Sequence, residues 1–325
     1  MAQFGTIFPL FANGMQFHIK DVGDVHHRQT LGIMVTVTTV LLVATPIIGV
    51  FVGLVPNIGE GMLLGLAMAL SSPGCTVSNL CSDHLLTTDG GKVTMGLLAF
   101  QDLLLGLLLA LPSVLKSWNL FNVEMAFGAV FQSLSAFACV MLLTLFLSKR
   151  VMPGVIGYFA GREHHRDMYL LWMLALCTSM AVLTEKVGLS LEMGAFCAGL
   201  MVTGTTVVGR TMAAIEPLNQ LFSSLFFASI GMVISPWFLF THFGMVVTSM
   251  VQLTLGKGCL LYAATKWWGF PAPAAFVVAS SMANIAEFSL IFTGQAQALG
   301  LVSRTTYLLW LTTTVGMLVM SPLAL

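Results

Sequence analysis

Four ionisable side chains stand inside long apolar runs: Asp102, Glu192, Lys257 and Glu287. At the centre of a bilayer each would cost at least about 2.5 kcal/mol on insertion scales, so each needs a chemical reason to be there. Asp102 is the clearest case. It lies in Gly96-Leu-Leu-Ala-Phe-Gln-Asp-Leu-Leu-Leu-Gly106, and nothing nearby in sequence can neutralise it. A carboxylate in a low-dielectric pocket loses its charge by binding a proton or a desolvated cation. If the two exclude each other, one side chain couples proton to cation. The alternative is a carboxyl that stays protonated and hydrogen-bonds a neighbouring helix. Gln101 places a neutral carbonyl and amide beside it.

Lys257 sits between two glycines in Leu253-Thr-Leu-Gly-Lys-Gly-Cys-Leu-Leu261. Its run is long enough on both sides to make snorkelling difficult. Glu287 ends an unusually polar stretch, Ser280-Ser-Met-Ala-Asn-Ile-Ala-Glu287. Glu192 stands near the start of its run and is expected to reach the interface. His26-His27 and His164-His165 read as ordinary loop histidines.

Two runs carry small, polar interruptions. One is Ala69-Leu-Ser-Ser-Pro-Gly-Cys-Thr-Val-Ser-Asn79, where Pro73 removes a backbone donor and Gly74 loosens the chain. Hydroxyls of Ser71, Ser72 and Thr76 can take over the freed backbone groups. The other spans Ala279 to Ser289 and contains Asn284. Discontinuous helices at the bilayer midplane supply carbonyls and helix termini for ion sites. The first interruption precedes the Asp102 run, and the second follows the Lys257 run, so the two halves correspond in position though not in residue identity.

The elements that would hold these residues are membrane helices. The chain has 325 residues, is 57% hydrophobic and only 8% charged; its mean hydropathy is +0.94. Soluble domains carry about 25% charged residues. Apolar runs lie at 2–14, 31–54, 60–80, 93–115, 125–148, 168–185, 189–206, 217–234, 243–266, 273–299 and 304–324. They predict an all-α polytopic protein of about eleven transmembrane helices, the seventh broken by Gly194, Gly199 and Gly204. Runs of this length exclude a β-barrel, whose strands alternate over about ten residues. Loops after odd-numbered helices hold nine Lys and Arg, against three after even-numbered ones, which puts the C-terminus in the cytoplasm. Zero net charge makes nucleic acid an unsuitable partner. The six Cys show no metal-ligand spacing. No nucleophile-elbow or metalloprotease pattern occurs, so no enzyme and no cofactor are expected. A cleavable signal peptide and an appended soluble domain are likewise not expected.

Several stretches resemble, in order, the monovalent cation:proton antiporter-2 family, which includes Kef-type potassium/proton antiporters. Phe4-Gly to Gly14-Met-Gln-Phe17, Leu70-Ser-Ser72, Gly188-Leu-Ser190 to Gly194-Ala-Phe-Cys-Ala-Gly199, Leu225-Phe-Phe-Ala-Ser-Ile-Gly-Met232 and Ala286-Glu-Phe-Ser289 each resemble a family motif. The most specific match is Gly96-Leu-Leu-Ala-Phe-Gln-Asp-Leu103. The near absence of soluble segments looks closest to the animal transmembrane and coiled-coil branch. The resemblance implies a sodium/proton-antiporter-like fold with inverted repeats and two crossing broken helices. Ion-site helices would lie near 31–148 and 243–325, and scaffold or dimer helices near 1–14 and 168–234, within one exchanger domain over 1–325. The family's first two scaffold helices have no counterpart here.

The resemblance also implies roles. Asp102 would bind proton and cation in turn, with Gln101 in the place of a second acid, which implies electroneutral exchange of K+ or Na+ for H+. Ser71, Ser72, Thr76 and Asn284 would line the site at the helix breaks. Lys257 and Glu287 would be supporting charges and, with Gln at 101, would pair with each other. A homodimer in the lipid bilayer working by elevator-like movement is implied as well. Two other readings stay open: a non-transporting membrane subunit or regulator, and a channel-like pathway on the same fold.

Overall fold

The computed structural model describes residues 2–16, 27–53, 55–82, 85–116, 123–160, 166–203, 205, 208–234 and 236–320. No strand occurs among them. The helices, in chain order, are α1 (Ala2–Gln16), α2 (His27–Phe51), α3 (Ile58–Ala69), α4 (Pro73–Ser82), α5 (Asp89–Lys116), α6 (Val123–Arg150), α7 (Met152–Ala160), α8 (Arg166–Lys186), α9 (Leu191–Thr203), α10 (Val208–Val233), α11 (Pro236–Thr241), α12 (Phe243–Trp267), α13 (Ala272–Met282), α14 (Phe288–Ala298) and α15 (Arg304–Met320).

Helices cover every apolar run. Among the described residues, five stretches are long and apolar enough to cross a membrane: Arg28–Phe51, Ile58–Cys81, Ser135–Val155, Met168–Lys186 and Phe243–Trp267. Helices α9 and α13 have 13 and 11 residues, short of the roughly 20 that a full span requires. Large apolar side chains point outward on the long helices, among them Ile47, Leu142 and Leu255. Such a surface suits lipid rather than water.

The chain folds into two compact units, one of residues 1–19 and 106–232, the other of 20–105 and 233–325. The ion-site range of 31–148 is thereby divided, with 106–148 in the first unit.

In the first unit α9 is the central element, packed against α1, α6 and α8. It is continuous from Leu191 to Thr203, so Gly194 and Gly199 do not break it; Gly204 lies outside the described residues. Both glycines are instead places of close approach. A Cβ on Gly199 would meet the Phe11 carbonyl and the backbone of Gly14 on α1, and one on Gly194 would meet the Met180 carbonyl and the Thr184 hydroxyl on α8. Thr203 Oγ1 closes the end of α1 by donating to the carbonyls of Gly14 at 2.9 Å and Met15 at 3.0 Å. Glu192 is buried in the first turn of α9. The chain turns around Gly188, at a φ of 90°, so that α9 packs back along α8 and takes its first turn inside.

In the second unit α2 packs on α3, and α12 packs on α2, α13 and α15. Two helices are interrupted here. The α3–α4 interruption falls at Leu70–Ser72, and Pro73 opens α4, where its missing N–H costs nothing. The α13–α14 interruption falls at residues 283–287.

Candidate functional site

The two interruptions meet inside the second unit. Unwinding each helix frees carbonyls and N–H groups that must find new partners in a water-poor interior. The partners come from the opposite break. Ala286 N donates to Leu70 O at 3.2 Å. Ser71 Oγ donates to Met282 O at 3.1 Å, and Thr76 Oγ1 to Ser281 O at 3.1 Å. Asn284 joins both strands of the junction. Its Oδ1 accepts from Ser72 N at 2.8 Å, while its Nδ2 donates to Thr76 Oγ1 at 3.2 Å and to Ser281 O at 3.0 Å. Ser72 Oγ turns to its own helix and accepts from Cys75 N at 3.4 Å.

Gln101, on α5, is spent on the first break. Its Oε1 accepts from Ser71 N at 2.9 Å, and its Nε2 donates to Ala69 O at 2.9 Å and to Ser71 Oγ at 3.4 Å. An amide offers a donor and an acceptor on one planar group, which the two faces of an unwound turn require. An ionised carboxylate at this position would turn lone pairs toward Ala69 O. Asp102 follows on the same helix; its side chain lies outside the described residues.

Lys257 is 1% exposed, at mid-length of α12. Its Nζ donates to Leu70 O at 2.9 Å and to Asn284 O at 2.8 Å, one carbonyl from each break. The expected pairing with Glu287 is corrected by this geometry: among the described residues no ion pair joins them, and the ammonium is held by backbone. The physical reason is that α3 and α13 both end at the junction, where helix C-termini carry partial negative charge. Glu287 occupies the residue before α14, at the opposite kind of terminus, where a carboxylate is favoured. His26, His164 and His165 lie outside the described residues, as does the side chain of His27.

The junction therefore gathers Ser71, Ser72, Thr76, Gln101, Lys257 and Asn284 into one hydrogen-bonded set. It also uses the carbonyls of Ala69, Leu70, Ser281 and Met282, which sequence reasoning did not single out. Backbone groups carry no residue-type signal, and only the polar composition of each interruption hinted at them. A monovalent cation, the lysine ammonium, already occupies two of the freed carbonyls. No group of three or more His, Cys, Asp or Glu among the described residues could hold a metal.

A model of the sodium/hydrogen exchanger transmembrane family matches residues 1–325. The chain belongs to that family. It is an integral membrane protein. The chain is 31% identical to K(+) efflux antiporter 6 of Arabidopsis thaliana over 99% of its own length and 53% of that protein's. It is 26% identical to transmembrane and coiled-coil domain-containing protein 3 of Homo sapiens, over 99% of the chain and 50% of the relative. Thus the chain spans about half the length of these curated relatives. Among solved structures, the sodium proton antiporter MjNhaP1 of Methanocaldococcus jannaschii aligns with a TM-score of 0.62, covering 99% of this chain and 83% of that one at 13% identity. At that identity the likeness is one of fold.

Proposed function

We propose that this chain is a secondary transporter, not an enzyme, that exchanges a monovalent cation, K+ or Na+, for H+. Asp102 is the exchanging group, and the second unit carries it. The observation that carries this reading is the closed junction of two broken helices. A lysine neutralises their carbonyl ends, and α5 anchors there through the residue next to Asp102. Beside these carbonyls and hydroxyls, a carboxylate supplies the anionic oxygen that binds a proton or a transported cation in turn. Proton and cation each neutralise that carboxylate once, so the loaded and protonated forms carry equal charge and exchange is electroneutral. Gln101 positions the break and stays neutral throughout. The family membership and the antiporter relatives support the same reaction class.

Access alternates between the two sides of the bilayer. The arginine and lysine distribution favours a cytoplasmic C-terminus, and the fold family favours a homodimer. In vesicles carrying a pH dye, Asp102→Asn is expected to abolish cation-dependent proton flux; unchanged flux would sink the assignment. Competition for one carboxylate adds a second expectation. As pH falls, the apparent KM for the cation rises while the maximal rate, measured at saturating cation, holds. A fall in maximal rate at constant KM would place the proton on a different group.

A further inference from the structure

The second unit contains a cavity of about 420 Å³ walled by α2, α3, α12 and α15. That is within the size range of small-molecule sites, about 300–1,000 Å³. Its walls are mostly aliphatic, with Ala44, Ile48, Leu64 and Leu253 among them, and Lys257 and Trp310 also line it. Ile48 is 56% exposed, so the cavity opens on the apolar outer face of α2, a helix long enough to cross the membrane.

One polar group here is unexplained. Trp310 is 6% exposed, and its indole Nε1 finds no acceptor among the described residues. Buried donors are nearly always paired, and leaving one unpaired is costly. Several of the other polar lining atoms are committed. Thr313 Oγ1 donates to Leu309 O at 2.7 Å, and Lys257 Nζ to its two carbonyls. An anion fits poorly, since the walls are mostly aliphatic and the Lys257 amine is already turned to two carbonyls. What fits is an apolar chain carrying a single neutral acceptor.

We propose that this cavity binds an acyl chain of a membrane phospholipid, with the ester carbonyl accepting from Trp310 Nε1. Trp310 lies six residues into α15, about 9 Å along the axis from the helix start. The site does not rest on the antiport reading, and binding is measured without transport.

The test uses phosphatidylcholine vesicles with brominated acyl chains, since bromine quenches tryptophan on contact. The chain has six Trp, so the Trp310 signal is the difference between the wild type and Trp310→Phe. Where that variant fails to fold, a chain whose other tryptophans are Phe reports the same signal. Ester-linked bromolipid is expected to quench Trp310 strongly despite its burial. An ether-linked analogue, which lacks the carbonyl, is expected to bind roughly fivefold more weakly, the factor set by one neutral hydrogen bond. Ala44→Leu, which fills the cavity, is expected to protect Trp310. A Trp310 signal untouched by bromolipid overturns the site. Equal quenching by ester and ether lipid overturns the carbonyl pairing.

Discussion

Lys257 is a cation fixed where two helices end, and its energetics follow from which acceptors depend on it. Leu70 O also accepts from Ala286 N, whereas Asn284 O takes the ammonium as its donor. Lys257→Met therefore strands one buried carbonyl fully and the other in part. The expected loss of stability is about 1–3 kcal/mol, the cost of an unsatisfied buried group, read as a lowered unfolding temperature in detergent. Glu287→Gln is expected to add independently to Lys257→Met, within about 0.5 kcal/mol; a larger coupling would restore the direct pairing that geometry denies. The burial of Lys257 was legible in the sequence, because no charge stands mid-run without a reason. Its partner was not, because carbonyl oxygens belong to every residue. Gln101 shows the same division. Its neutrality beside Asp102 suggested a role in charge stoichiometry, while its three bonds to the first break make it a staple. Gln101→Glu is expected to lower the unfolding temperature, because Ala69 O loses its donor. Equal stability of the two forms would argue against the staple.

At the scale of elements, the interruptions were readable, and the breaks expected at Gly194 and Gly199 did not occur. Polar residues in the two broken helices, Ser71, Ser72, Thr76 and Asn284, marked places where backbone must be served by side chains. Glycines in α9 suggested a third break, yet they serve helix packing: small residues let backbones approach, as membrane helices require. Composition cannot separate these cases, because glycine suits both; a proline or a cluster of hydroxyls decides. Gly199→Val is expected to push α1 away and to destabilise by about 1–3 kcal/mol, as overpacking does, whereas the same change at exposed Gly154, where a Cβ meets nothing, is expected to be mild. Asn284 joins the two breaks through two side-chain bonds, to Ser72 N and Thr76 Oγ1, and bonds Ser281 O on its own side. A double-mutant cycle of Asn284→Ala with Thr76→Val is expected to show coupling of about 0.5–3 kcal/mol. Strict additivity would mean that the two breaks are held independently.

At the scale of the whole molecule, the orientation in the membrane can be argued from two contacts in the second unit. Gln29 Nε2, at the start of α2, donates to Trp268 O, just past the end of α12, at 3.2 Å. Ser303 Oγ, just before α15, donates to Glu60 Oε2, in the first turn of α3, at 3.0 Å. The first pair brings the beginning of α2 and the end of α12 together, expected to be at one membrane face. The second pair places the beginnings of α3 and α15 at the other, because α2 runs its full 25 residues between the two levels. This parity is what the alternation of loops requires, for the segments near 29 and 268 both follow odd-numbered runs and those near 60 and 303 both follow even-numbered ones. Lysine and arginine are concentrated on the odd set, so that face is expected to be cytoplasmic. Single cysteines on exposed residues test it in a background freed of the six native ones. Asn57→Cys, between α2 and α3, is expected to react with a membrane-impermeant thiol reagent from the outside only. Thr87→Cys, between α4 and α5, is expected to react only after the cytoplasmic face is opened. Both sites are exposed, so a silent cysteine would reflect the side and not burial. The reverse pattern would invert the orientation, and labelling of both from one side would mean that the broken helix does not carry the chain across.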